Sequence, residues 1–198
     1  HALLLKADGS LWAMGYNNFG QLGDGSNTDR DAPVAVSGAG TSGVVAVAGG
    51  GNHSLFLKVD GSLWGMGFNN ASQLGDFTST SRNTPVAVSG AGGSGVVAVA
   101  AGTQHSLFLK EDGSVWAMGY NFEGQLGNGL GAISISPTAV LGAGASGVVA
   151  IAAGANSSYM LKTDGSLWAF GKNSAGQLGD GTTTNRSTAV AVTGEGAS

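Results

Sequence analysis

The sequence predicts an all-β fold, a β-propeller built from four-stranded antiparallel blades, and three observations lead there. The chain repeats itself at a fixed step of 52 residues, each unit holds four short strand-like runs, and no stretch carries the helical period of roughly 3.6 residues. Asp-Gly-Ser begins at Asp8, Asp60, Asp112 and Asp164, with tryptophan following at Trp12, Trp64, Trp116 and Trp168. Gln-Leu-Gly keeps the same step from Gln21, Gln73, Gln125 and Gln177, as do Pro33, Pro85 and Pro137. The first two units are identical at 35 of 52 positions, which points to recent duplication of one unit. The units run 1–52, 53–104, 105–156 and 157–198, and the last is ten residues short, so it is expected to lack its final strand.

Within the second unit, His53 to Lys58 is an apolar, partly alternating run, Val59-Asp60-Gly61-Ser62 is a turn, and Leu63 to Gly67 is a second run. Two short runs across Asp-Gly predict a hairpin with a type I′ turn, because both residues tolerate positive φ. A long polar loop follows through Asn83, in which Gln73-Leu74-Gly75 is expected to tuck the leucine inward while the glycine bends the chain. Pro85 to Val88 reads as a third strand with proline at its first position, where a missing N–H is tolerated. Residues 90–95 turn the chain, and Val96 to Ala101 is the fourth strand. Its unbroken Val/Ala character predicts burial between neighbouring blades at the crowded inner part of a ring. Fifteen strands and an open or partial ring are expected.

Composition excludes several classes of function. Charged residues make up 10% of the chain against roughly 25% in an ordinary globular domain, and the net charge is −4. Eight scattered Lys and Arg cannot form the basic stripe that nucleic acid requires, so no nucleic-acid partner is expected. The longest apolar runs fall far short of the roughly 20 residues of a membrane helix, so no membrane insertion is expected. The absence of cysteine excludes disulfides and thiolate chemistry. No leader is recognisable at the start of the chain.

The residues His53 to Leu57, Asp60-Gly61, Trp64 to Gly67, Asn69-Asn70, Gln73-Leu74-Gly75, Pro85 and Val96 to Gly102 resemble the repeat of the regulator of chromosome condensation family. Gly119 to Gly127 in the third unit is similar to that family's Gly-x-Asn-x-x-Gly-Gln-Leu-Gly signature. The resemblance spans the whole chain. It implies one propeller blade per repeat, usually seven in a closed ring, often with strands from both termini completing one blade. It does not choose a function, because the family includes a nucleotide-exchange factor for a small GTPase, a plant ultraviolet photoreceptor and secreted bacterial proteins. The unbroken 52-residue register leaves no room for the exchange factor's inserted wedge, which argues against regulation of a small GTPase. The tryptophans stand one per unit rather than in the photoreceptor's cluster. Low charge and small-residue composition are most similar to bacterial repeats on secreted or surface proteins, which implies an extracellular or cell-surface location.

A catalytic centre needs unlike groups converging on one point, whereas most charged residues here recur at repeat positions, so no enzyme and no cofactor are expected. Asp8, Asp60, Asp112, Asp164 and the four tryptophans are read as structural. His1, His53 and His105 share one position that becomes Ser157, which suits a structural hydrogen bond better than a metal ligand. Residues 24–29 are rich in oxygen donors but miss the calcium-loop spacing, so no metal is expected. Asn52, Asn70, Asn156 and Asn185 begin glycosylation tripeptides, a pattern frequent by chance. Variation between units concentrates in the long loops, where aromatic residues and Asn resemble a binding surface on a rigid scaffold. Tyr16, Phe68 and Tyr120 are expected to pack beneath their loops, leaving Phe19, Phe122, Glu123 and Lys172 as candidate contacts. The expected function is a non-enzymatic scaffold binding a protein partner of unknown identity. The alternative is a structural unit that self-associates through unpaired blade edges.

Overall fold

The computed structural model describes residues 1–38, 40–90 and 94–194. These contain fifteen strands, all paired antiparallel, grouped in four sheets. The first sheet holds β1 (Ala2–Leu5), β2 (Leu11–Gly15) and β3 (Arg30–Ala35). The second holds β4 (Val44–Gly49), β5 (His53–Lys58), β6 (Leu63–Gly67) and β7 (Arg82–Ala87). The third holds β8 (Val96–Ala101), β9 (His105–Lys110), β10 (Val115–Gly119) and β11 (Ser134–Ala139), and the fourth β12 (Val148–Ala153), β13 (Ser157–Lys162), β14 (Leu167–Gly171) and β15 (Arg186–Ala191). This is a propeller array of four blades, numbered 1 to 4 in chain order.

The sheets divide the chain differently from the 52-residue units. The strand counted as fourth in a unit is hydrogen-bonded into the next sheet, as β4 is to β5. A short link can close a hairpin between β4 and β5, whereas the longer connection after β3 carries the chain across to the neighbouring blade. Among the described residues the first blade therefore has three strands and the last has four. The expected turn over residues 90–95 falls partly outside the described residues, and residues 195–198 fall wholly outside them.

Three local expectations change. First, the hairpin turn is a three-residue loop rather than type I′. Gly61 N–H donates to Lys58 O at 3.0 Å, Lys58 N–H donates to Ser62 O at 3.0 Å, and Gly61 has φ +75° while Asp60 stays in the ordinary region. That is a type I turn closed by a glycine bulge. Aspartate serves as an acceptor instead: its Oδ1 takes the Ser62 N–H at 3.0 Å and hydroxyl at 2.5 Å, and the same serine accepts the Trp64 indole N–H at 3.1 Å. These bonds, the Ser62 hydroxyl foremost, hold the Asp60 carboxyl below its ordinary value. Second, Pro85 is the fourth residue of β7, not the first. The β6–β7 register breaks between Gly65 and Gly67, so the proline occupies a bulge on an outer strand where no ladder N–H is needed. Third, the Val/Ala strands are only partly covered. β4, β8 and β12 pack side by side as the inner strands, and a bulge at the start of each leaves Val45, Val97 and Val149 about half exposed. Full burial belongs to the hairpin strands β5 and β9, which lie mid-sheet with a blade on either face.

The core lies between blades. Leu11, Ala13, Leu22 and Val36 of blade 1 enclose Phe56 and Met66 of blade 2, and Leu55, Leu57, Leu63 and Val88 of blade 2 enclose Phe108 and Met118 of blade 3. Gln-Leu-Gly fits this contact: Leu74 is fully buried, and a Cβ on Gly75 (φ +60°) would stand 2.3 Å from Met118 Sδ. Backbone conformation and the approaching blade both demand glycine there.

A polar clasp accompanies each apolar contact. Ser106 of blade 3 donates its hydroxyl to Gln73 O of blade 2 at 2.8 Å and lies 3.0 Å from His53 Nε2, also of blade 2. Ser54 joins Gln21 O and His1, and Ser158 joins Gln125 O and His105, in the same way. Since the serine proton goes to the carbonyl, the histidine donates its Nε2–H. Burial pushes His53 down to about 3, with the charge of His105 adding to it, and burial alone pushes His105 down to about 4. Blade 4 has Ser157 in the histidine position. There Tyr159 OH lies 3.0 Å from Ser157 Oγ and donates to Gln177 O at 3.0 Å, satisfying from within the blade a carbonyl that elsewhere takes a neighbour's serine.

Two outcomes follow from the clasp. Ser106→Ala strands a buried carbonyl and a buried histidine N–H, and should lower unfolding free energy by about 1–3 kcal/mol in denaturant titration, with an unchanged slope. The second concerns pH. The folded histidines bind protons far less readily than in the unfolded chain, where their pKa is about 6.5. Stability should be full above that value and fall with acidification toward pH 4, by up to about 1.4 kcal/mol per pH unit for each histidine. Thermal melts of wild type against His53→Gln/His105→Gln should show the loss in the former and a flatter profile in the latter.

Candidate protein-binding surface

The long loops lead into each blade's outer strand, at residues 16–29, 68–81, 120–133 and 172–185. Each is organised around a fully buried asparagine: Asn17, Asn69, Asn121 and Asn173. In blade 2, Asn69 Oδ1 accepts the Leu74 N–H at 2.9 Å, while its Nδ2 donates to Asp76 Oδ1, Thr78 O and Thr80 O at 3.0, 3.1 and 3.1 Å. One side chain thus fixes both limbs of the loop. The expected asparagine-bearing loop tip is a loop interior at this position, and only the second Asn of the pair, Asn18 or Asn70, faces solvent.

Asp76 also accepts the Thr78 hydroxyl at 2.7 Å and pairs with Arg82 at 2.7 Å. Burial of Asp76 alone would raise its pKa, but the bonds from Thr78, Arg82 and Asn69 outweigh it and hold the carboxyl below its ordinary value. Asp24–Arg30 and Asp180–Arg186 repeat the pair at 2.6 and 2.7 Å. In the fourth loop the hydrogen bond from the Thr182 hydroxyl dominates at Asp180, which is lowered to about 2. The oxygen donors of residues 24–29 are thereby spent on the loop itself, Asp24 on Asn17, Ser26 and Arg30. Among the described residues no group of three or more His, Cys, Asp or Glu is placed to hold a metal ion.

The third blade breaks the pattern. Asn128 stands for the aspartate and Ser134 for the arginine, so both partners of the ion pair are replaced together, while Asn121 still bonds Asn128 Oδ1, Leu130 O and Leu126 N–H at 2.9–3.0 Å. Around this loop, which lacks the ion pair, five positions that are polar in every other unit become apolar and exposed: Phe122 (62%), Leu130 (61%), Ile133 (38%), Ile135 (53%) and Leu141 (50%). Their counterparts in the second unit are Asn70, Thr78, Ser81, Asn83 and Ser89. Phe122 and Leu130 stand on a groove between blades 3 and 4, whose lining also includes Glu123, Gly131, Asn185 and Ser187. Asn185 of blade 4 donates its Nδ2 to Glu123 Oε2 and accepts the Asn173 N–H at 2.7 Å, which ties the groove's acid to both blades.

Of the four candidate contacts, Phe122 and Glu123 meet in this groove. Phe19 packs edge-on against Phe68 of the next blade at 4.7 Å between centroids, an interblade contact. Lys172 is half-buried away from the groove, its N–H bonded to Asn156 O at 2.9 Å. Phe68 and Tyr120 are half-buried, whereas Tyr16 is 42% exposed. The tryptophans are half-buried beneath lysines, Lys6 lying 3.9 Å from the Trp12 ring centroid. Two loop residues carry strain: Ser72 (φ 59°) and Phe77 (φ 61°) adopt a left-handed conformation at positions where every other unit has glycine.

Blades that bury their core against one another and present variable loops on a fixed frame define a β-propeller repeat protein. The chain belongs to the regulator of chromosome condensation (RCC1) repeat family, whose profile matches residues 8–57, 60–109, 112–161 and 164–192. Among curated relatives, the human probable E3 ubiquitin-protein ligase HERC3 is 35% identical over 93% of the chain, which spans 18% of that protein. The ultraviolet-B receptor UVR8 of Arabidopsis thaliana is 29% identical over 97% of the chain, which spans 44% of that protein. Among solved structures, human WBSCR16 superposes with a TM-score of 0.87 at 28% identity, over 98% of this chain and 51% of that one. Yeast Prp20p, a structure described with its binding to Gsp1p and histones, shares the fold at a TM-score of 0.84 and 21% identity, over 98% of this chain and 48% of that one. Among the described residues no helix is long and apolar enough to cross a membrane.

The paired replacement in blade 3 yields a double-substitution test. Arg82→Ser leaves the Asp76 carboxylate, itself only 3% exposed, without its cation, and should destabilise by about 1–3 kcal/mol. Adding Asp76→Asn, which recreates the blade 3 combination, should recover more than half of that loss in the same denaturation assay.

Proposed function

We propose that the chain is a non-enzymatic protein-binding scaffold whose partner docks on the long loop and outer strand of blade 3. The observation that carries this reading is the five-position change from polar to exposed apolar in one blade of four. Exposed apolar side chains gathered on one loop and the strand that follows it mark interaction surfaces, and here the other blades serve as an internal control. The frame beneath is unchanged, since Asn121 and Leu126 keep their bonded geometry, so the substitutions alter what the loop shows and not how it is held. The family supports the reading, because a solved propeller of this fold is described with protein partners. An extracellular or cell-surface location, taken from composition, belongs to the same proposal.

Phe122→Ser/Leu130→Ser tests it. A partner isolated with the wild-type chain should bind the double variant about 100-fold more weakly by calorimetry, corresponding to roughly 1.5 kcal/mol for each partly covered side chain. The melting temperature should stay within about a degree, since both residues are exposed. Undiminished binding would place the partner elsewhere.

A further inference from the structure

The occupant of the groove between blades 3 and 4 can be specified further, resting on the reading of blade 3 as a docking surface. We propose that the groove takes an extended polypeptide segment in which an apolar side chain lies between Phe122 and Leu130 and a neighbouring lysine or arginine pairs with Glu123.

Charge decides the second half of this recognition. Glu123 replaces Phe19, Ala71 and Ala175 of the other units, so the acid is particular to the blade that also carries the apolar positions. No described salt bridge involves it: the neighbouring cation, Arg186, is held by Asp180 at 2.7 Å. Among the described residues its carboxylate has one hydrogen-bond partner, the neutral Asn185 amide, which is itself anchored by the Asn173 N–H at 2.7 Å. A carboxylate held in place by a neutral donor is not matched by a cation of its own chain and loses little entropy in meeting one from a partner. The groove's described lining contains this one acid and no base. An acidic segment would meet an uncompensated carboxylate on a chain of net charge −4, whereas a basic one is complementary to both.

Shape decides the first half. A Cβ at Gly131 would meet no atom within 4 Å, leaving the wall open beside Leu130. Gly124 closes the other side, its backbone so near Arg186 that a Cβ would stand 2.5 Å from the Arg186 carbonyl. Of the backbone acceptors on the blade 4 side, Ser187 O already takes the Gly129 N–H at 2.8 Å. Selectivity therefore rests on side chains: one apolar, one cationic.

The test pans a displayed library of random twelve-residue peptides against the full chain and, in parallel, against Glu123→Gln and Phe122→Ser/Leu130→Ser. Glutamine retains an oxygen for Asn185, so the groove keeps its form without the charge. On wild type, Lys or Arg next to Leu, Ile or Phe should be enriched at least fivefold, and selected peptides should bind Glu123→Gln about tenfold more weakly, with the difference shrinking at high salt. Failure of basic residues to enrich, or equal enrichment on Glu123→Gln, overturns this inference. If apolar peptides are still lost on Phe122→Ser/Leu130→Ser, the docking surface stands without its charge preference. If they persist there, the docking surface falls as well.

Discussion

A sheet four strands wide has two apolar faces and no interior of its own, so most of the buried apolar side chains here belong to contacts between blades. The remaining features answer to that constraint. Glycine follows Gln-Leu because the next blade's methionine or phenylalanine rests on it. Histidine opens the hairpin strand because it can reach across to the neighbour's serine, and the serine passes the contact on to a glutamine carbonyl. Apolar packing makes the contact strong without fixing its register. The clasp supplies register, since a buried carbonyl and a buried imidazole N–H tolerate few positions of the hydroxyl between them.

The fold was legible because repetition multiplies weak signals. One Asp-Gly between two short runs suggests a hairpin, and four at a constant step leave little alternative. What repetition cannot reveal is where a repeating object starts, because any window of the period fits equally well. The assignment of Val44–Gly49 to the following sheet therefore had to come from pairing. The turn type was hidden for a related reason: Asp-Gly supports both the two-residue and the three-residue loop, and the serine after it, which bonds back to the aspartate, tips the choice. Burial of the Val/Ala strands was overestimated because composition cannot tell a strand covered on both faces from one that is bulged at its start and open toward the ring axis.

The candidate site was legible only in part, and the missing part had a signal. Phe122 and Glu123 stand out as departures from their counterparts, but Leu130, Ile133, Ile135 and Leu141 are equally clear departures once polarity rather than variability is compared across units. The joint replacement of Asp76 and Arg82 by Asn128 and Ser134 at equivalent positions likewise announces a contact in the sequence itself. Phe19 misled because an aromatic on a varying loop looks the same whether it faces a partner or the next blade. The asparagine at the centre of each loop was hidden by its polarity, which suggests a surface position for a residue that is wholly enclosed. Departures from the internal symmetry are informative because the frame beneath them is held constant.

The clasp also bears on how such an array can grow. Blades 2 and 3 each carry both halves of it, a histidine facing forward and a serine facing back, whereas the first blade pairs His1 with Ala2 and the fourth pairs Ser158 with Ser157. A copy of an inner unit inserted beside its parent meets two neighbours already shaped for it. A copy of the first unit in the same place would leave a glutamine carbonyl with no hydroxyl to receive, and a copy of the fourth would bring a serine to a carbonyl that Tyr159 already fills. Lengthening by gene duplication is thus easiest from a unit that carries both halves, and the 35 of 52 positions shared by the first two units are the kind of record such growth leaves behind.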